Sequence, residues 1–271
     1  MLSIVIPIHN QEQIIQTVLD SVLEMTVGTY ELILILDGCT DRSPQIVANW
    51  IETTPKPTGL VEVRIVINEK GLFETSCDNQ GFRLAKGEYI MEIQADMKIL
   101  TFGYNVLLTS PLKQYSDLIA VSGRCCHRLN QSPGTNIGKL GAKVEAPHEV
   151  LHSFENYGKV FLSHTVNRGP IAFRASMLRE LNYLDEEHYV LENDEHDLFA
   201  RAWVLKQWRC GFVPIEVYSP LHWGSTRKIR PPEVQAYLDE RRKKQSGGFL
   251  SMHRQNIVFP DAEVRPFKVS V

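Results

Sequence analysis

The feature that most constrains this chain is an alternation, over its first 120 residues, of short apolar runs with segments of helical periodicity. Residues 3–8 are apolar, end at Pro7 and His9-Asn10, and read as a buried strand. Asn10 is placed to cap a helix in which Ile14, Ile15, Val18, Leu19, Val22 and Leu23 recur at helical spacing. Residues 31–36 form a second buried strand, stopped by Asp37-Gly38. Ser43 as N-cap and Pro44 at the first helical position open a second helix, with Ile46, Val47, Trp50 and Ile51 as its apolar stripe. Residues 53–59 break the chain with two prolines; residues 61–67 are a third strand, 75–85 a helix closed by Gly87, and 88–93 a fourth strand. This order predicts an α/β fold, a mostly parallel central sheet flanked by helices with right-handed crossovers. Ligands of such sheets bind at the carboxyl ends of the strands. His9-Asn10, Asp37-Gly38 and Gln94-Ala95-Asp96 each lie just past a predicted strand.

The remainder is less regular. A helix is expected over 101–110, a strand over 117–121, a strand over 171–173 and a helix over 176–181. Residues 124–169 carry few signals but hold His127, His148, His152 and His164, with His188 just beyond; they read as acceptor-side insertions or loops. A helix over 194–208 places Leu198, Ala202 and Leu205 on one face, and residues 212–217 are a last strand. Pro231-Pro232 opens a helix to about residue 244, ended by Ser246-Gly247-Gly248. The expected division is 1–100 and 101–245 as two halves of one domain, with 246–271 as a tail.

Composition excludes several classes. At 271 residues, 43% apolar and 23% charged, the chain is globular and not disordered. A formal charge of −3 gives no basic face for nucleic acid, so an anionic ligand must be held by local cations. No apolar run approaches the roughly 18–20 residues of a membrane span. The short apolar N-terminus lacks a basic segment and a cleavage site, so it does not read as a signal peptide. Five cysteines without a C-x-x-C pair fit reduced thiols and a cytoplasmic location. Cys125-Cys126-His127 hints at metal, but adjacent cysteines in a strand or helix do not easily face one ion, which favours buried thiols.

Four segments carry residues suited to chemistry, each with a plainer reading beside it. Asp37, at a strand end before glycine, suits hydrogen bonding to a base or ribose; Asp, Gly, Thr and Ser are also ordinary turn residues. Asp96 suits a hard cation bridging phosphates, or merely a turn or cap. Residues 192–197 hold four carboxylates, Glu192, Asp194, Glu195 and Asp197. A helix N-terminus favours acidic groups, yet such crowding repels, and a general base or metal site would account for it. Asp197 and Arg201 have the spacing of a helix-surface pair. Residues 219–228 combine His222 with Arg227 and Lys228 and suit a metal and a diphosphate, or a solvated basic loop.

In order, residues 3–10 (SIVIPIHN), 31–41 (ELILILDGCTD), 79–90 (NQGFRLAKGEYI) and 94–96 (QAD) together resemble a family 2 glycosyltransferase with the GT-A fold. Residues 194–198 (DEHDL) are similar to the family's E-D-x-D-L helix start, and 171–174 to the strand before it. The resemblance implies an inverting transfer of a sugar from a nucleotide donor to an acceptor hydroxyl, hexosyl or N-acetylhexosaminyl in type, with a UDP-sugar as the favoured donor. The implied acceptor is a glycan, a lipid-linked sugar or a protein. It places Pro7 and Asn10 along the nucleotide pocket, Asp37 on the base and Asn79 on the nucleotide-side helix. Arg227 and Lys228 belong with the diphosphate. Asp96 matches the last carboxylate of a D-x-D that holds Mn²⁺ or Mg²⁺, and His222 a late histidine near that ion. Glu195 aligns with the general base and Asp194 with the residue before it.

Three departures stand out: Gln94 replaces the first D-x-D aspartate, Asp78 stands where many members carry arginine, and the E-D pair reads Asp194-Glu195. A catalytically silent sugar-nucleotide-binding module and a sugar nucleotidyltransferase are the rival readings. The latter calls for a glycine-rich phosphate loop that residues 5–20 lack.

Overall fold

The computed structural model describes residues 1–127, 129, 140–141, 156–224 and 229–270. Strands β1 (Leu2–Ile8), β2 (Tyr30–Asp37), β3 (Leu60–Asn68) and β4 (Tyr89–Glu92) form a parallel ladder ordered β3-β2-β1-β4. The links between them are α1 (Ile15–Met25), α2 (Ser43–Thr53) and α3 (Glu74–Leu84). The chain continues through β5 (Lys98–Ile99), α4 (Tyr104–Gln114), β6 (Leu118–Ser122), β7 (Cys125–His127), β8 (Leu140–Gly141), β9 (Lys159–Ser163) and β10 (Thr165–Val166). It ends through β11 (Ile171–Arg174), α5 (Ala175–Glu180), α6 (Asp194–Lys206), β12 (Arg209–Phe212), β13 (Val217–Tyr218), α7 (Pro232–Lys244), α8 (Phe249–His253) and β14 (Glu263–Pro266).

One nine-stranded sheet, ordered β14-β9-β12-β6-β11-β4-β1-β2-β3, unites the two halves. Most of its ladder is parallel; β11 enters antiparallel between β4 and β6, and β9 and β14 extend the far edge antiparallel. The central strands are apolar throughout because both faces are covered. Ile4, Ile6 and Ile8 pack with Leu32, Leu34 and Leu36 against α1, α2 and α4. Val5, Ile33 and Ile35 face the other way, against Cys77 and Phe82 of α3 and Leu198 and Phe199 of α6. This is the period-two alternation of a strand. Gly81 permits the close approach of α3: a Cβ there would lie 2.2 Å from Val5 Cγ1. All five cysteines are outside disulfides, and Cys125 and Cys126 are buried. Among the described residues, no helix is long and apolar enough to cross a membrane.

Four expectations need correction. Asn10 does not cap α1: its φ is +52° and its amide oxygen accepts the Thr40 N–H at 2.8 Å, while the helix begins at Ile15. The strand expected over 212–217 is two, because Pro214 lacks the N–H a continuous ladder needs; β13 leaves the sheet and pairs with β5. The region 124–169 contributes β9 to the main sheet, although much of it, including His148 and His152, lies outside the described residues. The tail supplies β14, an edge strand whose charged sequence hides its pairing with β9.

Candidate active site

At the carboxyl ends of β1 and β2 the two following loops are tied together by side chains. Ser43 Oγ accepts the Gln11 N–H at 2.8 Å, and Asp41 accepts the Glu12 N–H at 2.9 Å and the Ser43 N–H at 2.9 Å. Ser43 is therefore a tie between loops and not the helix cap its sequence suggests. Gly38, at φ +53°, turns the chain so tightly that a Cβ would lie 2.4 Å from Gly71 N. Asp37, 4% exposed, accepts the Leu72 N–H at 2.8 Å, the Phe73 N–H at 2.9 Å and the Asn68 amide at 3.0 Å. The turn reading of this segment thus holds, and three of roughly four carboxylate lone-pair sites are used.

These loops form one side of a cavity of about 750 Å³. Pro7, Asn10 and Asp37 line it, and Asp96 lines the side beyond β4. Among the further residues that line it are Glu74, Glu92, Arg124 and Arg230. Helix α7 closes over the opening, and Tyr237 stacks on Phe73 with ring centroids 5.5 Å apart. Gln94 is bound into the wall: its amide donates to Glu74 Oε1 at 2.7 Å. An aspartate at position 94 would face that carboxylate with like charge, so the altered D-x-D and Glu74 belong together.

Behind the wall lies a buried acidic cluster centred on Arg168, itself 3% exposed. The guanidinium binds Asp78 Oδ2 through Nη1 and Asp194 Oδ1 through Nη2, the latter at 2.6 Å. Glu74 is 3.8 Å and Glu195 4.0 Å from it. Asp194 also accepts the Thr75 hydroxyl at 2.6 Å and the Glu195 N–H at 2.9 Å. Burial alone would raise its pKa, but Arg168 and these donors hold it below the ordinary carboxylate value. Glu195 is pushed well above its ordinary value by burial, opposed by Arg168 and reinforced by Asp194. The expected repulsion from Glu192 and Asp197 is not the cause. Glu192 pairs with Arg242 at 3.0 Å, and Asp197 with Arg201 at 2.8 Å, so the crowded acids are separately partnered.

The expected site residues divide accordingly. Asn79 does not line the cavity; both ends of its amide hold the Leu184 backbone, at 2.9 and 3.0 Å. Asp194 and Glu195 sit behind the acidic wall. His222 is exposed and, among the described residues, not part of the wall. Arg227 and Lys228 lie outside the described residues. Glu92 was detectable in principle, being a charged residue at the end of a buried strand, between the buried Met91 and Ile93. Arg168 had no local signal, since its partners are 90 and 26 residues away.

Residues 3–100 match the family described as Glycosyl transferase family 2. The uncharacterized glycosyltransferase EpsJ of Bacillus subtilis is 23% identical over 208 residues, which cover 74% of this chain and 56% of EpsJ. The chain thus spans little more than half of that relative. Its fold is similar to that of GalNAc-T7, solved with UDP, GalNAc and Mn²⁺, at a TM-score of 0.59 and 17% identity over 81% of this chain and 43% of that one. It is also similar to the mannosyltransferase PcManGT of Pyrobaculum calidifontis, solved with GDP-Man and Mn²⁺, at 0.57 and 16% over 95% and 76%. The matched residues 3–100 include the strands, turns and Gln94-Ala95-Asp96 segment that build the cavity, and the chain has the GT-A fold seen in these glycosyltransferases.

Proposed function

We propose that this protein transfers a sugar, with inversion at the anomeric carbon, from a nucleoside-diphosphate donor to an acceptor hydroxyl of a glycan, lipid-linked sugar or protein. The observation that carries this reading is the cavity at the carboxyl ends of β1, β2 and β4, with Pro7, Asn10 and Asp37 on one side and Asp96 on the other. A UDP-sugar is the favoured donor, in keeping with the UDP bound to GalNAc-T7; the GDP-Man of PcManGT makes GDP-sugars the comparison to run.

Asp37 lines the cavity, where its carboxylate would meet a base or ribose N–H or O–H. Arg124 and Arg230 line the cavity where an anionic diphosphate would lie, and Arg227 and Lys228 are assigned to the same task. The donor set fits a hard divalent cation, since Asp96 offers a carboxylate at the cavity wall. Asp96 would hold Mn²⁺ or Mg²⁺; His222, exposed and outside the described cavity lining, is left out of this set. When bound, that ion would stabilise negative charge on the leaving diphosphate. Glu195 takes the acceptor proton: its base is the more loosely held of the two candidates, because Asp194 is committed to Arg168, Thr75 and its own helix turn.

Thermal unfolding with UDP- and GDP-sugars tests the donor reading. A sugar nucleotide together with Mn²⁺ is expected to raise the unfolding temperature beyond either alone, and Asp96→Asn to remove the synergy. No stabilisation by any nucleotide sugar would overturn it. Asp37→Ala is expected to weaken nucleoside-diphosphate binding by about 1.5–3 kcal/mol, the scale of a hydrogen bond to a charged group. Unchanged affinity by calorimetry in the folded variant would remove Asp37 from the nucleotide site.

A further inference from the structure

We propose that Glu74, Asp78 and Glu92 form a second site for a hard divalent cation, behind the cavity wall and separate from the position at Asp96. One ligand atom from each lies within 4.8 Å of the others. Asp78 and Glu92 are fully buried, and each keeps one oxygen with no hydrogen-bond partner, Asp78 Oδ1 and Glu92 Oε1. Their other oxygens are committed, Asp78 Oδ2 to Arg168 and Glu92 Oε2 to the Gly169 N–H at 2.9 Å. Glu74 Oε1 accepts from the Gln94 amide, and its Oε2 lies 3.8 Å from Arg168.

Buried polar atoms are normally satisfied, and an orphaned anionic oxygen is costly. Two such oxygens in one cluster point to a missing positive partner. Arg168 does not fill that role, because it is already shared by Glu74, Asp78, Asp194 and Glu195 before Glu92 is counted. A set made wholly of carboxylates selects a hard ion over thiophilic or imidazole-seeking metals. A separation within 4.8 Å lets the three oxygens share one ion. Ca²⁺, which takes oxygens at about 2.3–2.6 Å in flexible geometry, demands less of them than Mg²⁺ with its near-ideal octahedron at about 2.0–2.1 Å. Glu74 and Glu92 reach the cavity wall, which gives the ion a path in.

The test needs no donor and no turnover, so its failure leaves the glycosyltransferase reading untouched. Mn²⁺ is titrated into the intact protein without nucleotide, free ion is followed by electron paramagnetic resonance, and Ca²⁺ is the competitor. One bound Mn²⁺ displaced by Ca²⁺ is expected in the wild type and in Asp96→Asn. Glu74→Gln and Glu92→Gln, which keep side-chain shape, should weaken it by at least about 10-fold, the lower end for loss of a supporting group at a metal site. Should Glu92→Gln fail to fold, Glu74→Gln and Asp96→Asn still decide. No binding up to about 1 mM, far weaker than the ~10⁻⁷–10⁻⁵ M of sensor-type oxygen sites, would overturn the proposal and leave protons as the neutralising partner. Loss of binding in Asp96→Asn, or unchanged binding in Glu74→Gln, would overturn it in favour of an ion elsewhere.

Discussion

Glutamine in place of Glu195 is expected to lower turnover by about 10²–10⁴-fold, the span usual for removal of a general base, while donor affinity stays near that of the wild type. The substitution keeps shape and hydrogen-bonding reach and removes the proton acceptor. Asp194→Asn, measured per folded molecule, is expected to reduce turnover less. Asp194 is already occupied by Arg168 and Thr75, and its charge is held in place below the ordinary carboxylate pKa. The pH profile supplies an independent reading. Burial and Asp194 raise the Glu195 value, so its ionised fraction grows as pH climbs above the usual carboxylate range. Transfer should therefore rise with pH through that raised value, and the rise should vanish in Glu195→Gln. If both variants transfer at near-wild-type rates, the acids serve only the helix start and its ion pairs.

The largest stability effect is expected at Arg168. Arg168→Gln removes a group that pairs at once with Asp78 and Asp194, both fully buried, and should cost about 3–5 kcal/mol in chemical unfolding. The sign with pH follows from the charges left behind. Without the guanidinium, the folded-state pKa of Asp194 moves above its unfolded value, so stability is lost as pH rises through it, and the deficit should shrink in acid. Adding Asp78→Asn or Asp194→Asn to Arg168→Gln should recover part of the loss, because an uncompensated buried charge disappears. A variant as stable as the wild type would show that these acids are neutral in the native protein and that Arg168 is dispensable.

Arg168 also marks the boundary of what could be read in advance. The departure at position 78, aspartate where the resemblance implies arginine, looks in the sequence like a loss. In the folded protein a guanidinium is supplied from residue 168 and binds that aspartate. Gln94 is similar: it reads as a missing carboxylate until its amide is seen donating to Glu74. No spacing rule links positions 78 and 168 or 74 and 94, because α3 and the segment before β11 meet only once the sheet orders them.

Local patterns were sufficient for the strands and helices of the first hundred residues and for the edge where the cavity opens. Buried parallel strands must be apolar on both faces, helices must carry a stripe, and turns demand glycine and aspartate; each requirement is written in consecutive residues. Pro7, Asn10, Asp37 and Asp96 were accessible for that reason. Tertiary structure alone decided that Ser43 ties loops, that Asn79 holds the Leu184 backbone, and that a charged tail becomes an edge strand. It also decided which acids share Arg168. Those outcomes depend on which distant groups meet in a low-dielectric interior, where an unpaired charge is costly and each partner must come from another part of the chain.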